Sequence, residues 1–352
     1  MVADGWPDAH ATRLPGSRHP ILLAPMAGAG GPRLAIAAMA GGAVGALPCA
    51  MLVPDEVQSQ AAEVRAGAAG PLNLNFFCHE MPGPIDDRAW CALLRPYHDE
   101  IGIAPGQGSG PIRRPFDAAM CGAVESARPE IVSFHFGLPE AALLDRVRAT
   151  GARVLASATS VAEARWLAER GVDAIIAQGF EAGGHAGRFL GAPPDEQMGL
   201  FALLPQIVDA TGLPVIAAGG IADGRGVAAA FMLGAAAVQI GTAFLHCPES
   251  LASPGHRAAL ASEAAERTAF TNLFSGGLAR GLPTRLSDEL GRVRAEAPPF
   301  PLATVALAPL MREPGFAPMW AGQAARLSAP EPARDLVERL ARDALALLAR
   351  EA

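Results

Sequence analysis

His185 is the residue whose surroundings most suggest chemistry. It lies in the run EAGGHAGR, beside Gly183, Gly184 and Gly187, with no apolar neighbour to bury it. Histidine is the usual general base near neutral pH, and glycines let a backbone approach a ligand closely. The pattern predicts a catalytic residue at position 185; the alternative is a surface or capping histidine.

Two glycine-containing turns predict a phosphate site. Gly219 and Gly220 follow one apolar run, and Gly241 and Thr242 follow the next. Turns of this kind present unobstructed backbone N–H groups, which bind phosphate oxygens. Two ordinary tight turns are the alternative.

Asn75, Gln178 and His135 also lie at or near the ends of apolar runs. An amide carries both donors and an acceptor, which suits a neutral heterocycle such as an isoalloxazine or a nucleobase. Each amide is equally consistent with a hydrogen-bonded core residue. His135 lies between two phenylalanines, so it either lines the mouth of a site or belongs to the core.

Eight short apolar runs predict the elements that position these residues. Continuous apolar runs are typical of parallel strands covered on both faces, and helical patterns separate most of them. Eight alternating units favour an α/β fold, the (β/α)8 TIM barrel, whose active site lies at the carboxyl ends of its strands. The predicted strands are Ile21–Pro25, Ala43–Leu47, Leu72–Phe77, Ile131–Phe136, Arg153–Ala158, Ala174–Ala177, Pro214–Ala218 and Ala237–Gly241.

The regular pattern ends near Leu245, which predicts a second part of the chain. We assign residues 1–246 and 316–352 to the barrel and residues 247–315 to an inserted, smaller, substrate-side lobe. The segment 335–350 carries an apolar stripe that includes Leu336, Val337 and Leu340, so we expect it to pack back on the barrel.

The composition excludes several classes of protein. The chain has 352 residues, of which 51% are hydrophobic and 18% charged, so it can bury a large core. A net charge of −7 argues against binding nucleic acid through a basic face. All 28 basic residues are arginine, and the absence of lysine excludes a Walker A ATPase and an imine-forming enzyme.

The cysteines and the apolar stretches of the chain predict the cellular compartment of the protein. The five cysteines are odd in number and form no C-x-x-C pair, which favours a reducing cytoplasm without a disulfide framework or a metal site. The N-terminus, residues 1–20, is polar and predicts no leader. The uncharged stretches 34–53 and 227–245 are interpreted as a buried helix, a turn and a buried strand, so we predict no membrane span.

Eight segments of the chain form a recognisable set: PILLAPMAGAG, LNLNFFCHE, VSFHFG, AQGFEAGGHAGR, PVIAAGGIADG, AVQIGTAF, SGGLARGLPTR and MWAGQ. Taken together, these segments resemble the nitronate monooxygenases, formerly called 2-nitropropane dioxygenases, and their bacterial class I branch in particular. The resemblance covers about residues 20–285 and resumes at 319–323. The resemblance implies an FMN-dependent barrel enzyme that uses O2 to convert alkyl nitronates into carbonyl compounds and nitrite.

The resemblance also implies roles for individual residues. His185 would face the flavin as the base or hydrogen-bonding partner of the substrate, with His135 and Ser275 on the substrate side. The implied FMN contacts are Pro25, Met26, Ala27, Asn75, Gln178, Gly183, Gly184, Gly219, Gly220, Gln239, Ile240, Gly241, Thr242, Trp320, Gly322 and Gln323.

Two departures from the class I pattern concern the substrate. That branch carries tyrosines and a lysine around the substrate, whereas this chain has one tyrosine, Tyr97, no lysine, and an uncharged apolar segment at 300–311. A carboxylate-bearing nitronate is therefore expected to lack those particular cationic and phenolic partners here.

Several properties stay open at this stage. The expected partners are a small nitronate or nitroalkane and O2, with neither nucleic acid nor membrane, and an oligomer is left open. Two alternatives remain for function: an NAD(P)H-dependent flavin reductase of quinones or enoyl thioesters on the same fold, and a non-catalytic flavin-binding protein.

Overall fold

The structure is a computed structural model that describes residue 6 and residues 16–104, 112–191 and 193–350. Residues 1–5 and 7–15, where we predict no leader, lie outside the described residues. The strands are β1 (Ile21–Leu23), β2 (Gly45–Pro48), β3 (Leu72–Phe77), β4 (Ile131–His135), β5 (Arg153–Ala158), β6 (Ala174–Gln178), β7 (Gly184–His185), β8 (Val215–Ala218), β9 (Ala237–Ile240), β10 (Ala269–Thr271) and β11 (Ala279–Gly281).

Helices alternate with most of these strands. They are α1 (Pro32–Ala40), α2 (Pro54–Gly67), α3 (Arg88–Ile101), α4 (Ala118–Ala127), α5 (Ala141–Ala149), α6 (Val161–Glu169), α7 (Leu200–Thr211), α8 (Gly224–Met232), α9 (Pro254–Leu260), α10 (Arg285–Leu290), α11 (Thr304–Leu307) and α12 (Ala333–Leu348).

Within the described residues, eight strands form one parallel sheet in the order β1-β9-β8-β6-β5-β4-β3-β2. Val44, just before β2, closes this sheet into a barrel. Its N–H donates to the Ile21 carbonyl at 2.9 Å, and its carbonyl accepts from the Leu23 N–H at 3.0 Å. The predicted (β/α)8 barrel is confirmed, and the observed strand ends differ from the predicted ones by at most two residues.

Strand alternation divides the apolar side chains into two layers. Leu22, Ile176 and Ile216 point into the barrel, whereas Ile21 and Leu23 point outward against the helices. Because both faces of each strand are covered, the strands carry the continuous apolar runs seen in the sequence.

The two uncharged stretches fold as predicted. Residues 34–53 contain the end of α1, a turn and β2, and residues 227–245 contain most of α8, a turn and β9. In the part of the chain that the structure describes, no helix is long and apolar enough to cross a membrane. The C-terminal helix α12 packs against α8 and α1, as its apolar stripe predicts.

A second apolar cluster lies outside the barrel. It combines Trp90, Leu94 and Tyr97 of α3 with residues between Leu273 and Phe316. A small antiparallel sheet, in the order β10-β11-β7, joins this region to the segment that carries His185. The boundaries of the inserted lobe, residues 247 and 315, stay a prediction. In the structure, helix α3, which comes earlier in the chain, packs in the same apolar cluster as residues 273–316.

Candidate active site

A cavity of about 510 Å³ opens at the carboxyl ends of the barrel strands. This volume is within the range of small-molecule and cofactor sites. Most of the residues predicted for the site line it: Pro25, Met26, Ala27, Asn75, His135, Gln178, Gly183, Gly184, His185, Gly219, Gly220, Gln239, Gly241, Thr242, Trp320 and Gly322.

Three predicted site residues lie off the cavity wall. Ile240 is buried in the layer between barrel and helices because its neighbour Gln239 takes the inward-facing position. The Gln323 side chain is exposed, and its backbone N–H donates to the Glu181 carbonyl at 2.9 Å. Ser275 lies behind His185 and is 1% exposed. For Ile240 and Gln323 the structure therefore offers no side-chain contact with a ligand in this cavity.

The two glycine turns meet at one side of the cavity. Gly219 and Gly220 have φ angles of 114° and 70°, which L-residues with side chains rarely adopt. Among the described residues, the backbone N–H groups of Gly220 and Gly241 donate to no backbone acceptor. Asp223 fixes the turn, since its carboxylate accepts from the N–H groups of Arg225 and Gly226 and starts α8.

Thr242 connects this side of the cavity to the WAGQ run (residues 320–323), which lies far from it in the sequence. Its hydroxyl oxygen accepts the N–H of Gly322 at 2.9 Å. Trp320 and Gly322 thereby lie on the same cavity as the two glycine turns, although some 80 residues separate them from Thr242 in the chain. The WAGQ run is thus part of the site through its backbone and through Trp320.

The three amide side chains that line the cavity, Asn75, Gln178 and Gln239, differ in their hydrogen bonds. Asn75 donates to Ser133 Oγ at 2.9 Å and to the Ser133 carbonyl at 3.2 Å, and its Oδ1 accepts no hydrogen bond from a described residue. Gln239 Oε1 is buried and likewise without a partner among the described residues. Two acceptor oxygens are therefore left for a ligand that carries N–H or O–H donors.

Gln178, by contrast, is engaged within the protein. Its Nε2 donates to the His185 carbonyl at 2.9 Å, and its Oε1 accepts the Gly187 N–H at 2.7 Å. These two bonds hold the segment that carries His185 over the strand end. Gln178 lines the cavity, but its amide already has a positioning role for this segment.

His185 is buried, 8% exposed, and its ring is held by Ser275. Its Nε2 lies 2.8 Å from Ser275 Oγ, which also reaches the Gly277 carbonyl at 3.4 Å. Burial lowers the pKa of His185 well below its usual value, and the charge of Arg113 lowers it further. The imidazole is therefore neutral at pH 7, as a base must be.

His135 contacts the backbone of His185 and helps to hold it in place. Its Nδ1 lies 3.1 Å from Ser157 Oγ, and its Nε2 lies 3.1 Å from the His185 carbonyl oxygen. Because a carbonyl only accepts, Nε2 carries the proton and Nδ1 accepts from the serine. Burial lowers the pKa of His135 to about 4. With both nitrogens occupied, this ring positions the His185 backbone while one side of it lines the cavity.

The glycines around His185 are needed for contacts inside the protein. A Cβ at Gly183 would lie 2.5 Å from the Gly322 nitrogen, and a Cβ at Gly187 would lie 2.5 Å from His135 Cε1. We expected these glycines to let the backbone approach a ligand. This is wrong for Gly187, whose close neighbour is His135. For Gly183 the close neighbour is the backbone of Ala321 and Gly322.

Three charged residues of the site escaped the sequence analysis. Glu163 is buried and accepts from Thr159 and from the N–H groups of Phe189 and Leu190, which ties the loop after His185 to α6. Arg280 is buried and donates to the carbonyls of Phe180 and Thr268. No local pattern distinguishes these two from solvated charges.

Arg113 is the third, and it is a cation on the cavity wall that the sequence did not single out. Its side chain lines the cavity and is 9% exposed. The N–H of Phe116 donates to the Phe77 carbonyl at 2.7 Å, which anchors this segment at the end of β3. In the sequence, Arg113 is marked only by its position in the connection after the third predicted strand. That connection begins at the carboxyl-end edge of the barrel, where the active site is expected.

The fold and site together define a (β/α)8-barrel enzyme with its active site at the carboxyl ends of the strands. The family model described as "Nitronate monooxygenase" matches residues 10–343 of the chain. The chain belongs to this family.

Curated relatives are similar to this chain over nearly its full length. A nitronate monooxygenase of Paraburkholderia phytofirmans is 41% identical over 336 residues, covering 92% of each chain. One of Pseudomonas aeruginosa is 40% identical over 345 residues, covering 94% of this chain and 97% of that protein.

Solved structures give the same fold. A nitroalkane oxidase from Streptomyces ansochromogenes superposes with a TM-score of 0.88 at 33% identity, covering 97% of this chain and 100% of that one. FabK from Thermotoga maritima superposes with a TM-score of 0.76 at 26% identity, covering 97% of both chains.

Proposed function

We propose that this enzyme oxidises alkyl nitronates to carbonyl compounds and nitrite, with FMN as cofactor and O2 as oxidant. The observation that carries the proposal is that one cavity joins the two glycine turns to the buried, neutral His185. A ligand with a phosphate at one end and a reactive ring at the other fits such a cavity.

The residues fit FMN in three respects. The N–H groups of Gly220 and Gly241 are available to phosphate oxygens, and Gly220 has no side chain that would fill the turn. Asn75 Oδ1 and Gln239 Oε1 are acceptors for the N–H and hydroxyl groups of the flavin and its ribityl chain. Bound there, FMN would supply the electron transfer from the nitronate to O2.

Side chains of the cavity wall would orient the substrate. Phe274, Met311 and Trp320 give the cavity an apolar wall near His185. Ser275 holds the imidazole, so that Nδ1 is left to accept a hydrogen bond or the α-proton of a neutral nitroalkane. With a nitronate, whose α-proton is already gone, His185 contributes positioning alone.

The direct test measures nitrite release from purified enzyme reconstituted with FMN. Ethyl nitronate, propyl nitronate and the corresponding neutral nitroalkanes form the substrate panel. We expect O2-dependent nitrite formation, fastest with nitronates. The cofactor is identified separately by chromatography after denaturation, where FAD in place of FMN would contradict the cofactor assignment.

The similarity to FabK supports a second candidate, an NAD(P)H-dependent flavin reductase. The same cavity would then accept a nicotinamide beside the flavin. Anaerobic mixing with NADPH separates the two functions, because rapid bleaching of the flavin is expected of the reductase only. We propose a cytoplasmic location as well, on the basis of the cysteine usage.

A further inference from the structure

Of the described residues that line the cavity, Arg113 is the one that carries a formal charge at pH 7. Among the described residues, no aspartate, glutamate or second arginine lines the cavity. His135 and His185 are neutral at pH 7 because burial lowers their pKa values. The cavity is therefore electropositive at one defined place.

The guanidinium of Arg113 makes no hydrogen bond to a described residue, whereas that of Arg280, the other buried arginine among them, makes two. Its Nε is buried and bonds to no described residue, and burial is the cause that lowers its pKa to about 10, still well above neutral pH. Arg280, the comparison within this chain, lies between the rings of Phe180 and Phe270 and donates to two carbonyls. A buried charge without compensation is costly, so Arg113 is poised for an anion.

Topology separates Arg113 from the phosphate site. Arg113 follows β3, whereas the two glycine turns follow β8 and β9. Around the closed barrel, β3 and β8 lie four strands apart in either direction, on opposite sides. Arg113 is instead on the side of Phe77, whose ring centroid is 6.3 Å from that of His185. Its charge also lowers the pKa of His185, which places the two residues in one neighbourhood.

We propose that Arg113 binds the two oxygens of the substrate's anionic nitro group and thereby selects nitronates over neutral nitroalkanes. This inference rests on the proposed function. A planar guanidinium offers paired N–H donors that match two oxygens on one atom. Placed between Arg113 and His185, the nitronate has its charge compensated in a water-poor cavity.

Nitrate is a suitable probe because it is a planar monoanion with the oxygen geometry of a nitro group. Holoenzyme is titrated with nitrate, and binding is followed by the change in flavin absorbance. We expect Arg113→Met to weaken nitrate binding at least ~10-fold, and Arg113→Lys to restore part of it. Arg114→Met is the matched control, since the neighbouring Arg114 is exposed and does not line the cavity; its nitrate affinity should be unchanged.

Steady-state kinetics with the same variants test selection. Arg113→Met should raise KM for ethyl nitronate at least ~10-fold and change KM for nitroethane much less. Flavin content and thermal unfolding are measured for every variant, and Arg113→Gln replaces Arg113→Met if the latter does not fold.

The outcomes distinguish the inference from the proposed function. Nitrate affinity within about twofold of wild type in Arg113→Met and Arg113→Gln would overturn the anion site. Loss of FMN from both Arg113→Met and Arg113→Gln, with the fold retained, would assign Arg113 to the flavin instead and also overturn it. If wild type binds nitrate through Arg113 but turns over no nitronate, the anion site stands and the proposed function fails.

Discussion

His185 Nε2 lies 2.8 Å from Ser275 Oγ, across 90 residues of chain. The histidine belongs to the segment after β6, and the serine belongs to the turn between β10 and β11. The pairing of β7 with β11 brings the two together, since Ala279 is opposite His185 in the small sheet. The turn between β10 and β11 therefore holds the His185 ring at the edge of the barrel.

Ser275→Ala should lower kcat with little change in FMN content. Loss of the hydroxyl leaves the imidazole free to rotate, and misorientation of a general base reduces turnover by about tenfold or more. Nitrite release and flavin content are the measurements. Ser126→Ala, on the exposed face of α4, is the control and should behave as wild type. Equal kcat in Ser275→Ala would remove the serine from the mechanism.

His185→Asn should separate the two substrate forms. Turnover of neutral nitroalkanes should fall at least ~10²-fold, because the α-proton loses its acceptor. Pre-formed nitronates should lose less, because their α-proton is already gone. Since burial holds the pKa of His185 well below 6.5, wild-type activity on nitroalkanes should not decline through loss of this base between pH 8 and 6.5. Equal losses on both forms would show that His185 only positions the nitro group.

Gly220→Asp should empty the cofactor site without unfolding the barrel. The new side chain would lie against Glu181, whose Cβ is 3.4 Å from the added Cβ, and would add a carboxylate beside the phosphate in a partly desolvated turn. Gly220→Asn is the matched control, because asparagine has the same shape, tolerates the observed φ of 70°, and carries no charge. We expect the asparagine variant to retain more FMN than the aspartate variant. Stoichiometric FMN in Gly220→Asp would show that the phosphate lies elsewhere.

Gly187→Ala should destabilise the enzyme by about 1–3 kcal/mol and lower its activity. The added Cβ would lie 2.5 Å from His135 Cε1, so the ring or the His185 segment must shift. Gly122→Ala, in open space on α4, is the control. Urea unfolding of Gly187→Ala alone and combined with His135→Ala tests the cause. The alanine should cost less when the ring is absent, and additive effects would contradict this contact.

The free energy of unfolding should fall as the pH drops from about 6.5 toward 4. His135 has its pKa lowered to about 4 by burial, whereas an unfolded histidine titrates near 6.5. In this range the unfolded chain binds a proton that the folded protein excludes, so stability present above pH 6.5 is lost on acidification. Each such histidine contributes a slope of up to about 1.4 kcal/mol per pH unit.

Urea unfolding at several pH values tests this behaviour, with His135→Gln as the comparison. The variant should show a smaller slope between pH 6.5 and 5 because one excluded proton is removed. An identical slope in wild type and variant would show that His135 does not contribute to the acid sensitivity.

The barrel itself could be predicted from local pattern. A strand covered on both faces must be apolar along its whole length, so runs such as 72–77 and 174–177 identify their own structure. The carboxyl ends of such strands meet at one edge, which is why Asn75, Gln178 and Gly220 were expected on one cavity and all line it. These properties depend on residues close together in the chain.

Tertiary structure alone decided the partners of these residues. Whether Gln178 serves a ligand or the His185 segment, and whether Gly187 faces a ligand or His135, depends on distances between elements that closure of the barrel creates. Arg113 is in the cavity because the segment before Phe116 is bonded to the end of β3, and nothing in its neighbours separates it from the exposed Arg114. Sequence determined which elements form, since burial of each element follows local periodicity. Long-range packing determined which polar groups are satisfied within the protein and which are left for a ligand.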